Sequence, residues 1–416
     1  MWKRWRTRIL LFLAVLGPGF ITANVDNDSG GIFTYSQAGA QYGYTLLWTM
    51  IPITIALIVV QEMCARMGVV TGKGLSDLIR EEFGLRITFL LMVLLVVVNY
   101  TNVVTEFIGI AGSLHLFHVA KYISVPICAV LVWALVLRGD YKSTEKIFLI
   151  ASLVYIAYIF AGILAQPDWH ESLRATVHLP PKSVWRDKAY LYMAVGVVGT
   201  TIAPWMQFYL QSSIVEKRVP VKDYPASRLD VIVGCFFTDL IAWFIVVACA
   251  ATLFVHGMGA IQVAADAAEA MRPLAGDYAF VLFAFGLFNA SLFAASILPL
   301  STAYTVCEGL GVESGVDKTF KEAPFFYWLY TALIVGGAIT VLVLPDAQLI
   351  NVAIFSQVLN GVLLPVVIIL MLLLINRTDL MGEHKNSRLW NVIAWSTSII
   401  VIGMTFAMLW GLIPGH

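Results

Sequence analysis

Apolar residues recur along this chain in runs of roughly 20, each long enough as a helix to cross about 30 Å of hydrocarbon. Polar breaks separate them. The alternation predicts about eleven helices, at 9–40, 46–68, 87–114, 121–138, 145–165, 189–213, 230–255, 277–307, 323–344, 348–375 and 390–412. The first and the sixth are interrupted. "NVDNDSGGIF" (24–33) puts Asp26, Asp28, Gly30 and Gly31 inside the first run. "GVVGTTIAPWMQFYLQSS" (196–213) puts Gly196, Gly199 and Pro204 inside the sixth, and Pro204 removes a backbone donor.

The two broken segments stand five helices apart, so equivalent halves run in opposite directions through the bilayer. Broken helices at matching places of inverted repeats point to a site at the membrane midplane. Unwound backbone survives there only when it is buried in protein or lines a wet cavity. The expected organisation is one transmembrane transporter domain over 1–416. It has a first repeat at 1–165, an inverted second repeat at 189–375 and an extra helix at 390–412.

Composition supports this all-α polytopic membrane class. Hydrophobic residues make up 60% of the 416-residue chain and charged residues 12%, about half the charged share of a soluble domain. Net charge is zero, so no nucleic-acid partner is implied. All but six of the 26 Lys and Arg fall on the N-terminus and every second loop. The six are Lys121, Arg174, Lys182, Arg186, Lys188 and Arg272. The positive-inside bias then sets the N-terminus in the cytoplasm and the C-terminus outside. The expected location is the plasma (inner) membrane. Outside loops near 166–188 and 256–276 read as surface loops. Cys64, Cys128, Cys235, Cys249 and Cys307 all lie in apolar runs without ligand spacing and read as small buried hydrophobes. The basic start "MWKRWRTRIL" imitates a signal peptide, but the run continues into Asp26 and Asp28. "NDS" at Asn27 matches a glycosylation acceptor only formally.

An unneutralised carboxylate at the bilayer centre costs at least about 2.5 kcal/mol. A bound cation offsets that cost, so Asp28 is a candidate cation ligand beside free carbonyls of the break. Asp26 reads equally as ligand or structural acid. Asp239 either lines an aqueous path or pairs with a polar neighbour. Glu62 and Arg66 are spaced for an i, i+4 ion pair. His115 and His118 read as interfacial, as do Trp169, Trp185 and Trp410.

"GPGF" (17–20), "AGAQYGY" (38–44), "GVVTGKGLSDL" (68–78), "EFIG" (106–109), "GDYKSTEKI" (139–147), "SRLDVIVG" (227–234) and "SQVLNGVLLPV" (356–366) occur in an order that resembles the Nramp divalent-metal transporters along nearly the whole chain. The resemblance implies a LeuT-like fold of helices 1–5 and 6–10. It also implies divalent metal ions as transported substrate, with no cofactor, no enzymatic activity and no obligate protein partner beyond the bilayer. The family's Asp-Pro-Gly-Asn in helix one reads Asp28-Ser29-Gly30-Gly31 here. Its Met-Pro-His in helix six reads Ala203-Pro204-Trp205. An aspartate three residues before Glu106 is Val103. Gln357 stands where the family has a glutamine near the metal.

Those departures change the expected chemistry. A thioether helps select soft transition metals over hard cations, and Ala203 has none. Asp28, carbonyls near Gly31 and Ala203, and the Gln207 and Gln357 amides form an oxygen-only set, suited to Mg²⁺ with retained water and to Mn²⁺. This pattern looks like the NRAMP-related magnesium transporters. Trp205 and Val103 cannot titrate near neutral pH, so metal movement uncoupled from protons is expected, with Asp28 and Glu106 as the remaining acids. Three alternatives stand beside it: a proton-coupled Mn²⁺/Fe²⁺ transporter, a sodium-coupled organic-solute symporter, and an aspartyl hydrolase using Asp28 and Asp239.

Overall fold

The computed structural model describes residues 17–138, 156–269, 277–316 and 318–411. The part of the fifth predicted span before residue 156, the "GDYKSTEKI" motif after Arg138, the basic residues before Gly17 and Arg272 lie outside them.

Span one is two half-helices, α1 (Pro18–Val25) and α2 (Ser29–Tyr42). A 3₁₀ turn (Gly43–Thr49) leads into α3 (Met50–Thr71). Helix α4 (Leu75–His115) begins a dozen residues before the predicted span and kinks at Gly84, where φ is 80°. The kink separates the polar stretch 75–86 from the apolar one, and only glycine takes that backbone without strain. Helices α5 (Lys121–Arg138) and α6 (Ile156–Leu164) follow. The loop expected at 166–188 instead holds the short helix α7 (Trp169–Val177) and a 3₁₀ turn at Lys182–Arg186. Asp168 caps α7 by accepting from the Glu171 amide, which accounts for the difference. The second predicted outer loop likewise carries a helical turn, Ala264–Glu269.

Span six is again two halves, α8 (Lys188–Thr201) and α9 (Pro204–Glu216). Then come α10 (Tyr224–Cys249), which ends in a π turn at Ala250–Phe254, α11 (Asp277–Leu310), α12 (Pro324–Val343), α13 (Leu349–Ile375) and α14 (Arg388–Gly411). Eight helical stretches among the described residues are long and apolar enough to cross a membrane. Two predicted spans merge in one of them, Ser29–Thr71. Large apolar side chains such as Ile127, Val130, Phe236, Ile339, Val343 and Phe406 point outward, as a lipid-facing surface requires.

The interior is tied by small residues and polar latches. Gly19 sits against Asp230 and Val231, and Gly234 against the backbone of Gly19 and Phe20, so α1 and α10 approach backbone to backbone. The Asp230 carboxylate accepts from the amides of Gly17 (3.1 Å), Gly19 (2.8 Å) and Phe20 (3.3 Å), capping the start of α1. The predicted Glu62–Arg66 pair forms at 3.0 Å and is buried. Arg66 also donates to the carbonyls of His384 and Lys385 and to Asn386, holding the α13–α14 connection on α3. The five cysteines are buried and free.

Candidate metal centre

The first break falls at Asp26-Asn27-Asp28. Asp28 has extended ψ and is the N-cap of α2: its Oδ1 accepts from the Gly31 amide at 2.7 Å. The candidate ligand Asp28 thus doubles as a helix cap, a role carried by the Asp-x-x-Gly spacing. The start of α2 concentrates unsatisfied N–H groups and the end of α1 unsatisfied carbonyls. The break therefore offers an anion-favouring and a cation-favouring helix end side by side.

The second break falls at Ile202-Ala203. Ala203 is extended (φ −67°, ψ 136°) and Pro204 is the first residue of α9, where a missing amide donor costs nothing. Gly196 and Gly199, expected to weaken this helix, lie inside α8 instead. Gly199 makes room: a Cβ there would overlap the Gln357 carbonyl and the Gly361 backbone, and Gly361 in turn sits on the Val195 carbonyl, whereas a Cβ on Gly196 would meet only ordinary contacts. Gly199 and Gly361 thus serve close packing of α8 on α13, and Pro204 alone stands at the break.

The two breaks meet. Gly31 lies beside Thr200, and the Tyr35 hydroxyl shares a 2.8 Å hydrogen bond with Thr201. Gln357 is brought to the same place, because Gly30 is wedged between its amide and Asp28 Oδ1. Asn102 and Asn360 fix that glutamine. Asn360 donates to Gln357 Oε1 (2.8 Å), and Gln357 Nε2 reaches Asn102 Oδ1 (3.5 Å). Neither asparagine was singled out from the sequence, although Asn360 lies within the "SQVLNGVLLPV" motif. The end of the Gln207 amide lies 2.7 Å from the Ala203 and Pro204 carbonyls, and two acceptors at that distance assign this end as the nitrogen, which donates to both. It therefore braces the start of α9, and the Ala203 carbonyl is shared with it.

Glu106 comes up from α4. Its Oε2 accepts from the Ser29 amide (3.2 Å) and hydroxyl (2.9 Å), and its carboxyl is within hydrogen-bonding reach of Asp28. Ser29 occupies the family's proline position, and that is what gives Glu106 an amide and a hydroxyl to hold. Val103 is wholly buried, packed towards Gly337 of α12. Trp205 is also buried, its ring 6.3 Å from that of Tyr209. His115 ends α4 and His118 is exposed, both away from the breaks.

Four carboxylates, Asp26, Asp28, Glu106 and Asp239, are thereby buried in one region. Among the described residues no Lys, Arg or His forms an ion pair with any of them. Buried charge without a partner is too costly to persist, so these carboxylates are neutralised by bound cations or by protons. No group of three His, Cys, Asp or Glu side chains suited to a metal occurs among the described residues. A metal held here therefore draws on no more than two carboxylates together with amide, carbonyl or water oxygen. Above the breaks, a cavity of about 270 Å³ is bounded by Phe33, Ile108, Gly112, His115, Lys121 and Asp346. One turn below Gly112 on α4, Gly109 touches Ser29.

The family model described as natural resistance-associated macrophage protein-like (Nramp) matches residues 19–411. The chain belongs to the Nramp family. A protein of Burkholderia ambifaria named divalent metal cation transporter MntH is 27% identical, over 97% of this chain and 90% of its own length. One of the same name from Nostoc is 28% identical, over 96% of this chain and 92% of its own. Among solved structures, an Eremococcus coleocola manganese transporter bound to an aromatic bis-isothiourea compound superposes with a TM-score of 0.76. It is 22% identical, over 97% of this Nramp chain and 86% of the other. The fold is accordingly the LeuT-like one, with helices one and six broken.

Proposed function

We propose that this Nramp protein is a secondary transporter of divalent metal ions, moving Mg²⁺ and Mn²⁺ without coupled protons, in the manner of the NRAMP-related magnesium transporters. The observation that carries the reading is Asp28: a buried carboxylate at the junction of two broken helices, with no cationic partner among the described residues and with carbonyl and amide oxygens as the other candidate ligands. Gly31, Ala203, Gln207 and Gln357 complete the site, Gly31 by holding the Asp28 carboxylate with its amide, Ala203 through carbonyl oxygen, Gln207 by bracing α9, and Gln357 through its amide. Relatives named divalent metal cation transporters support the substrate class. Ala203, in place of a thioether, moves the preference from soft to hard metals. The whole chain acts as one transmembrane unit of two inverted repeats, with the N-terminus cytoplasmic and the C-terminus outside. The cavity above the breaks is then the outer vestibule.

The test is uptake into liposomes by the purified protein. Mg²⁺ enters and competes with Mn²⁺, Ca²⁺ enters poorly, and Asp28→Ala abolishes both fluxes while still folding and inserting. Ala203→Met raises Cd²⁺ uptake relative to Mg²⁺. Near-normal transport by a verified Asp28→Ala protein removes the site, and a wild type that moves Fe²⁺ or Cd²⁺ while ignoring Mg²⁺ removes the magnesium assignment. The second reading is proton-coupled Mn²⁺/Fe²⁺ transport, and the contact between Glu106 and Asp28 is the observation that favours it.

A further inference from the structure

Asp26 and Asp239 were read from the sequence as separate, ambiguous acids. The structure sets them against each other. Close packing of α1 on α10 through Gly19 and Gly234 fixes the register of the two helices. One turn further on, Asn27 donates its amide to the Thr238 carbonyl (3.1 Å) and hydroxyl (2.5 Å), which locks the break onto the residue preceding Asp239. Asp26 lies within electrostatic reach of both Asp239 and Asp28. Asp26 precedes Asn27 in the break and Asp239 follows Thr238 on α10, so the Asn27–Thr238 bonds bring the two acids onto facing segments.

All four oxygens of the pair are buried and accept no hydrogen bond. Asp26 is 2% exposed and Asp239 4%. Asn27 is fully buried, and while its nitrogen is bound to Thr238 its Oδ1 is likewise without a donor. Thr54 on α3 lies beside Asp239, with its hydroxyl 2.7 Å from the Met50 carbonyl. Among the described residues, acceptors therefore outnumber donors at this place. Such unsatisfied buried groups are rare and each needs an explanation.

We propose that Asp26, Asp239 and Asn27 Oδ1 form a second cation site, distinct from the Asp28 centre and selective for a hard divalent ion. Two carboxylates carry two negative charges, which one divalent ion neutralises and a monovalent ion does not. The donors are all oxygen, the preference of Mg²⁺ and Mn²⁺. The neighbouring thiol of Cys235 belongs to the wall. Asp28 has its own tasks, capping Gly31 and meeting Glu106, so the two sites share the break but not their carboxylates. An ion here would fasten the end of α1 to α10, with α3 as its third wall.

Mn²⁺ is the probe. Its binding to the full-length protein in lipid nanodiscs is counted by equilibrium dialysis, and paramagnetic resonance reports whether two bound ions sense each other. The wild type binds two Mn²⁺ per chain with dipolar broadening. Asp26→Asn and Asp239→Asn, isosteric and on different helices, each bind one and lose the broadening. A single Mn²⁺ per wild-type chain overturns the proposal, whether protons or Na⁺ fill the pair. So does an Asp239→Asn protein that still binds two. Asp28→Ala separates the two readings: it also falls to one ion if both hold. If it keeps two while Asp239→Asn keeps one, the second site stands and the transport site is elsewhere. Should neither asparagine variant fold, the wild-type count and its dipolar signature decide.

Discussion

Removing the Asp230 carboxylate should loosen the first half-helix from its neighbour. Asp230 accepts from three amides at the start of α1, at 3.1, 2.8 and 3.3 Å. Hydrogen bonds to a charged acceptor are worth about 1.5–3 kcal/mol each. The 3.3 Å contact is weak, and the freed amides of an opened helix end regain water. Two effective bonds, partly offset, leave about 3 kcal/mol lost in Asp230→Ala. At about 1.4 kcal/mol per factor of ten, the population with α1 detached rises roughly a hundredfold. Cys235 reports it, because it lies on α10 next to Gly234, which is covered by Phe20 and Ala23, and is itself fully buried. Alkylation under conditions of rapid reclosing follows the open population. Peptide-level mass spectrometry would measure Cys235 labelling against buried Cys64 on α3 as an internal reference. A hundredfold gain at Cys235 with Cys64 unchanged is expected. Asp230→Asn, which keeps one acceptor oxygen but no charge, falls between. A gain below about threefold in Asp230→Ala would refute the capping argument, and a parallel gain at Cys64 would show global unfolding instead.

Gly30→Ala places a methyl where the Gln357 amide now sits; Mg²⁺ uptake falls at least tenfold while the protein remains monodisperse, and unchanged uptake would detach Gln357 from the site. Transport by the wild type follows an imposed potassium diffusion potential, since two unaccompanied charges gain about 4.6 kcal/mol per 100 mV. A pH-sensitive dye inside the liposomes registers little change, and acidification proportional to metal flux would return the protein to proton-coupled transport, with Glu106→Gln as the next variant to test.

Much of the architecture was legible because membrane depth imposes a strong rule: every apolar run of sufficient length forms a helix, and polar interruptions stand out. The break at Asp26–Asp28 and the start of α9 at Pro204 follow from that rule. What escaped was geometry between distant residues. Gly199 looks like a helix breaker along the chain, and only the neighbouring Gly361 on α13 reveals it as a contact. Asp230 sits in a recognisable motif, yet nothing local says that its carboxylate serves amides more than 200 positions earlier. Gln207 could be named as a polar residue near the break, but not that its amide would turn back onto Ala203 and Pro204. Polar partners chosen by tertiary packing leave no periodic trace.

The Gly199–Gly361 contact has a mechanical meaning. Where two backbones touch without side chains between them, there is no layer of flexible atoms to act as a bearing. Sliding α8 along α13 by even a fraction of a turn would drive a carbonyl into a main-chain amide, so these two helices behave as one welded beam. Gln357 and Thr200–Thr201 are mounted on that beam and travel together. Whatever rocks during a transport cycle must therefore pivot around it, with the give supplied by the short unwound joints that precede α2 and α9.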